Sequence, residues 1–131
     1  MILRSALPLL ALVARLDAAT AWLDEQGART VVSIAGNSVE EYAEVAGRLA
    51  SAPGVTAVEI NTSCPNVEDR GQVFACHPQS AADVVHAVRR NTNPGIPVLA
   101  KLSPDVTDIV EIARAVVNAG ADGLSMINTL L

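Results

Sequence analysis

The sequence predicts an α/β protein built on a parallel sheet, and three observations point there. Four short apolar or β-branched runs, starting near residues 30, 55, 97 and 123, alternate with segments of helical periodicity. Hydrophobic residues make up 50% of the chain but aromatic ones only 2%, so the core must be aliphatic and alanine-rich, as in helices packed on a buried parallel sheet. Neither a low-complexity linker nor a repeat beyond the alternation divides the 131 residues, which therefore read as one unit joined by right-handed crossovers.

The opening fifteen residues carry one early cation, Arg4, and then an apolar run. That pattern suits a short signal peptide, but Pro8 interrupts it, and a helix of the domain or a misread start fits better. It is too short to span a bilayer, which takes ~20 apolar residues. Residues 16 to 26 place Leu16, Ala19, Trp22 and Leu23 on one helical face, and Gly27 ends the helix. A strand follows over residues 30 to 35, and Gly36-Asn37-Ser38 turns the chain. Ser38 and Glu41 form a capping box for a helix to about Leu49, with Val39, Tyr42, Ala43, Ala46 and Leu49 inward.

After Pro53-Gly54 comes a second strand, residues 55 to 60, and then a long loop to Pro78, a length that is usually functional. Ser80 is the expected cap of a helix running to Arg90 and ended by Asn93-Pro94-Gly95. Residues 97 to 102 form the third strand. Thr107 or Asp105 begins a helix over residues 108 to 119, with Ile109, Ile112, Ala113 and Val116 as its stripe and Gly120 as its stop. The last strand covers residues 123 to 127.

Net charge is −5 with no basic cluster except Arg89-Arg90, which argues against a nucleic-acid partner. Cys64 and Cys76 stand twelve positions apart without metal-ligand spacing, so neither a zinc site nor a disulfide framework is expected, and a reducing cytoplasm suits the chain.

In a parallel array whatever follows each strand lies on one face, the face that carries chemistry. Ser33 to Ser38, Asn61 to Asn66, Lys101 with Ser103, and Asn128 with Thr129 therefore converge. Within Asn61-Thr62-Ser63-Cys64-Pro65-Asn66 the proline biases Cys64 towards an extended conformation and holds a thiol between amides on a stiff turn. A free cysteine is otherwise a small buried hydrophobe, and both readings stand for Cys64. Lys101 interrupts an otherwise apolar strand; it either needs an anionic partner or snorkels to water at the rim. An isolated asparagine is often a turn residue bonded to its own backbone, the reading preferred for Asn37. His77 and His86 receive no role.

The block Glu59-Ile60-Asn61-Thr62-Ser63-Cys64-Pro65-Asn66-Val67 resembles the signature of class 1 dihydroorotate dehydrogenases. The resemblance continues through Ala100-Lys101-Leu102-Ser103-Pro104-Asp105 and through Gly120-Ala121-Asp122-Gly123-Leu124-Ser125-Met126-Ile127-Asn128-Thr129-Leu130-Leu131. It covers roughly residues 30 to 131, leaves residues 1 to 15 outside, and in the last two blocks is closest to the B-type catalytic subunit.

The resemblance implies part of a (β/α)8 TIM barrel, about four consecutive βα units, since a whole barrel needs ~250 residues. It implies FMN as cofactor and oxidation of dihydroorotate to orotate in pyrimidine biosynthesis, by a fragment inactive alone. Cys64 would be the catalytic base; Ser33, Asn61, Lys101 and Ile127 would contact FMN; and Asn61, Asn66, Asn128 and Thr129 would hold the substrate. Lys101 would face the pyrimidine edge of the isoalloxazine. Ser33 departs from the asparagine the family often carries there, with shorter reach and fewer hydrogen-bonding groups. Cys76 would be structural. Partners implied are a subunit carrying FAD and an iron–sulfur cluster that links to NAD, and further copies in a homo-oligomer when complete; no metal and no membrane are implied. A related FMN barrel acting on another dihydropyrimidine and a non-catalytic half-barrel scaffold are the alternatives. The glycine-rich phosphate cradle of such barrels has no counterpart in this sequence.

Overall fold

Four parallel strands in the order β1-β2-β3-β4 form a single sheet in the computed structural model, which describes residues 9–62 and 74–127, with side chains from Leu16 onward. The elements are α1 (Leu9–Glu25), β1 (Thr30–Ile34), α2 (Val39–Leu49), β2 (Val55–Asn61), a 3-10 turn (Phe74–Cys76), α3 (Pro78–Asn91), β3 (Val98–Lys101), α4 (Ile109–Asn118) and β4 (Gly123–Ser125). Spatial order follows chain order, and every pair is parallel, so each crossover advances the sheet by one strand. This is the α/β arrangement the alternation predicts, seen as an open partial sheet.

Alternation along the strands separates two faces. Val32, Ile34, Val58, Ile60, Val98 and Ala100 are buried and join Tyr42, Ala46, Leu49, Val84, Val85, Val88, Ile112 and Val116 of the helices in one core. Methyl and isopropyl groups fill it, and the one large ring is Tyr42, fully buried. Ser33, Glu59, Asn61, Leu99, Lys101, Gly123 and Ser125 share the opposite parity and form the inner face. Edge positions are left open: Val31 is 50% exposed on β1 and Leu124 39% on β4.

Several boundaries differ from expectation, each for a local reason. Helix α1 takes in Leu9 to Arg15 ahead of the expected span, because these are mostly strong helix formers. Helix α3 begins at Pro78 and not after Ser80: proline fits the first turn, His77 takes the cap position, and no side chain caps it. In α4 the cap is Asp108, whose Oδ1 accepts from the amides of Val110 and Glu111 at 2.8 and 3.1 Å, and neither Thr107 nor Asp105 starts the helix. Ser38 does cap α2, accepting from the Glu41 amide at 3.2 Å, but the Glu41 carboxylate reaches back to Asn37, at 2.8 Å to its amide and 3.0 Å to Nδ2. The box thus closes one residue further out. Strand β4 stops at Ser125 because its ladder partner β3 stops at Lys101.

The edge of the sheet at the strand starts is tied by Arg89. Its Nη1 donates to Ile96 O and Asp122 Oδ2, both at 3.0 Å, and Nη2 to Asn93 O at 2.8 Å. Asp122 Oδ2 also accepts from the Val98 amide at 2.8 Å, so one carboxylate links α3 to the starts of β3 and β4. Gly54 lets the chain enter β2: at φ +71 it lies so close to α1 that an added Cβ would stand 2.7 Å from both Asp24 Cβ and Thr20 O.

Candidate active site at the strand ends

Strand register decides which polar groups meet. Asn61 pairs with Lys101, and Lys101 with Ser125, so three polar side chains of neighbouring strands form one row at the C-terminal edge of the inner face. Ser33 pairs with Glu59 one layer lower, beside Leu99 and Gly123. The sheet therefore presents two polar layers, with Asn61 and Lys101 above and Ser33 and Glu59 beneath. Ile127 follows β4 at the same edge and packs partly buried against the core.

Each upper residue is held differently. Asn61 is buried, and its carbonyl accepts from Tyr42 Oη at 2.8 Å, a bond from the middle of the core to the last residue of β2. The Tyr42 ring meets Phe74 edge-on, centroids 6.0 Å apart, so one side chain braces both the strand end and the 3-10 turn. Thr62 Oγ1 donates to Lys101 O at 3.3 Å and ties the start of the loop to β3. Gly36 closes the neighbouring edge; a Cβ there would lie 3.1 Å from the Tyr42 amide nitrogen.

Lys101 is the only lysine of the chain and is half-buried. Neither ion pair among the described residues involves it, and its ammonium has no partner there. Beside it, the Ser125 hydroxyl is buried with no hydrogen-bond partner among the described residues. A half-buried cation next to an unsatisfied hydroxyl favours an anionic or carbonyl-bearing ligand, because burying either group unpaired is costly. Ser33 Oγ donates to Glu59 Oε1 at 2.8 Å, which commits its one proton to a neighbour in the lower layer.

The structure thus brings Asn61, Lys101 and Ile127 to one edge, with Ser33 a layer below. Cys64, Asn66, Asn128 and Thr129 lie outside the described residues. Cys76, half-buried, directs its Sγ to Asp105 O at 3.7 Å, a contact between the 3-10 turn and the segment after β3. Glu59 and Ser125 have no role in the reading of the sequence; the signal was there, since period 2 puts Glu59 with Asn61 on the inner face. No group of three or more His, Cys, Asp or Glu among the described residues could hold a metal ion. No helix among them is long and apolar enough to cross a membrane.

Residues 7–131 match the family model described as dihydroorotate dehydrogenase. The chain belongs to the dihydroorotate dehydrogenase family. It is similar to proteins named dihydroorotate dehydrogenase B (NAD(+)), catalytic subunit. With that of Bacillus cytotoxicus it shares 49% identity over 110 residues, 84% of this chain and 35% of the relative. For the Desulforamulus reducens protein the figures are 54% over 101 residues, 77% of this chain and 33% of the relative. For the Desulforudis audaxviator protein they are 57% over 100 residues, 76% and 32%. The chain therefore spans about a third of the length of these relatives. Its barrel-type fold shows here as four consecutive strands with their helices on one face.

Proposed function

We propose that these residues form the middle of the barrel of an FMN-dependent dihydroorotate dehydrogenase catalytic subunit, which oxidises dihydroorotate to orotate for pyrimidine biosynthesis. The single observation that carries this is the row Asn61, Lys101, Ser125 at the strand ends, an amide beside a cation and a buried hydroxyl that have no partner among the described residues, in a chain of this family.

These groups fit the pyrimidine end of an isoalloxazine, which offers carbonyl oxygens and takes negative charge on reduction. Asn61, Lys101 and Ile127 would hold that ring, with Ser33 beneath it. When bound, FMN would accept a hydride from the substrate. Lys101 supplies a fixed positive charge to the ring edge, and Asn61 offers both a donor and an acceptor to flavin and substrate. Asn66, Asn128 and Thr129 would hold the planar ring and carboxylate of the substrate. Cys64 would take the proton from C5 of dihydroorotate as hydride leaves C6, a task within reach of a thiol with a reference pKa of ~8.5 in a suitable environment.

The whole of residues 1–131 is read as one partial barrel domain. Its relatives' names include NAD(+), which supports a separate electron-transfer subunit carrying FAD and an iron–sulfur cluster. A cytoplasmic location and a homo-oligomeric holoenzyme complete the proposal. In the holoenzyme, Cys64→Ser should abolish most dihydroorotate turnover while orotate still binds. Full activity in that variant would remove Cys64 as the base, and binding of uracil in preference to orotate would favour another dihydropyrimidine as substrate.

A further inference from the structure

The inner face carries two charges. Among the described residues of β1 to β4, Glu59 is its one acid and Lys101 its one base. Glu59 stands two residues before Asn61, the register partner of Lys101. With strands ~4.8 Å apart and a rise of ~3.3 Å per residue, the Cα atoms of Glu59 and Lys101 lie about 8 Å apart on the diagonal.

The carboxylate does not hang free in this layer. Ser33, directly opposite on β1, donates to Oε1 at 2.8 Å and pins it on the inner face. Neither Glu59 nor Lys101 belongs to an ion pair among the described residues, and no contact among them neutralises the ammonium. The arrangement is a cation at the rim and a tethered anion one layer below. At this separation the anion acts through space, and a face closed off from water would strengthen its effect.

We propose that Glu59 is a positioning residue that sets, through its charge, how strongly Lys101 favours negative charge at the strand ends. This rests on the flavin reading above. Ser33 is the tether that keeps the carboxylate where it subtracts a fixed share of the lysine's potential. The consequence is a site that welcomes charge on the ring edge without holding it so firmly that electrons cannot pass onward.

The test uses the flavin-loaded holoenzyme and sulfite, which adds reversibly to flavin N5 and leaves negative charge on the pyrimidine end of the ring. Glu59→Gln keeps the size and still accepts from Ser33 but removes the charge. It should lower the dissociation constant for sulfite about tenfold, the effect of one charge at ~10 Å and an effective dielectric of ~20. Glu59→Asp, which keeps the charge, should stay within about twofold of wild type by the same reasoning. Glu44→Gln, on the exposed side of α2, should change nothing. An unchanged or weaker sulfite affinity in Glu59→Gln overturns the inference, as does a change confined to Glu59→Asp, which would mark a role in hydrogen-bond geometry alone. A wild-type holoenzyme that takes up no FMN overturns the flavin reading and this inference with it.

Discussion

Replacing Tyr42 with phenylalanine removes a bond between the core and the candidate site. The ring is fully buried and stays in the variant, so the core keeps its volume and its edge-on contact with Phe74. The loss includes the 2.8 Å bond from Tyr42 Oη to the carbonyl of Asn61. A buried hydrogen bond contributes about 1 kcal/mol net, so the expected loss of stability is of that order. With a urea dependence of about 2 kcal/mol per molar, the midpoint should fall by about 0.5 M with the slope unchanged. Hydrogen exchange should rise most at the end of β2, around Asn61 and Thr62, because the lost bond anchors that strand end. Tyr42→Ala should cost about 3–5 kcal/mol, the range for emptying an aromatic site. If Tyr42→Phe leaves both the midpoint and the exchange of the β2 end unchanged, the bond does not brace the site and the argument for Tyr42 as its anchor fails.

Other outcomes follow from single contacts. Arg89→Ala removes donors to Ile96 O and Asn93 O along with the Asp122 pair, and should cost about 1–3 kcal/mol in urea unfolding, mostly from the carbonyls left behind. Gly54→Ala should destabilise by more than about 1 kcal/mol, since the backbone is left-handed and a Cβ meets Thr20 O and Asp24 Cβ; a neutral result would mean that α1 moves aside freely. Ser38→Ala should cost about 1 kcal/mol of α2 stability, measured by helix-resolved exchange. The Glu40 carboxyl is held below its usual value by its own backbone amide and by the Ser38 hydroxyl. A carboxyl lowered in the folded state stabilises above its ordinary range, and that contribution is lost as pH falls through the folded value; an NMR titration of Glu40 should therefore show a lowered midpoint that Ser38→Ala raises.

Much of the architecture was legible because its signals are local. Apolar runs alternating with polar turns and amphipathic helices leave little choice but a parallel sheet with helices packed on it. Strand length was less legible, since a strand ends where its neighbour ends: β4 is three residues long because only Leu99, Ala100 and Lys101 offer partners. The start of α3 was misplaced because Ser80 and Pro78 both signal a first turn, and the rigid φ of proline prevailed. At the site, Asn61 and Lys101 declared themselves as polar residues at the ends of apolar strands. Glu59 shares their face by period 2, but a lone glutamate in a strand reads as a solvated position until its tether to Ser33 is seen. The Tyr42 bond to Asn61 spans nineteen residues, and no sequence period announces it.

What the four strands leave uncovered bears on the chemistry. Both edge strands have one neighbour each among the described residues, with Val31 on β1 and Leu124 on β4 half-exposed and Met126 75% exposed just beyond. Parallel strands are stable chiefly where both faces are covered and edges are paired. Extending the sheet from either edge would bury these side chains and turn the inner face, now half-open, into an interior. Charges on that face would then interact at lower dielectric, where one charge at ~10 Å counts for several times more than in water. The polar rows gain their force only on closure, and for that reason FMN retention should be weak in the 131-residue chain and strong in the holoenzyme. Equilibrium dialysis of both against FMN measures the difference, and tight retention by the 131 residues alone would show that the four strands already make a complete flavin site.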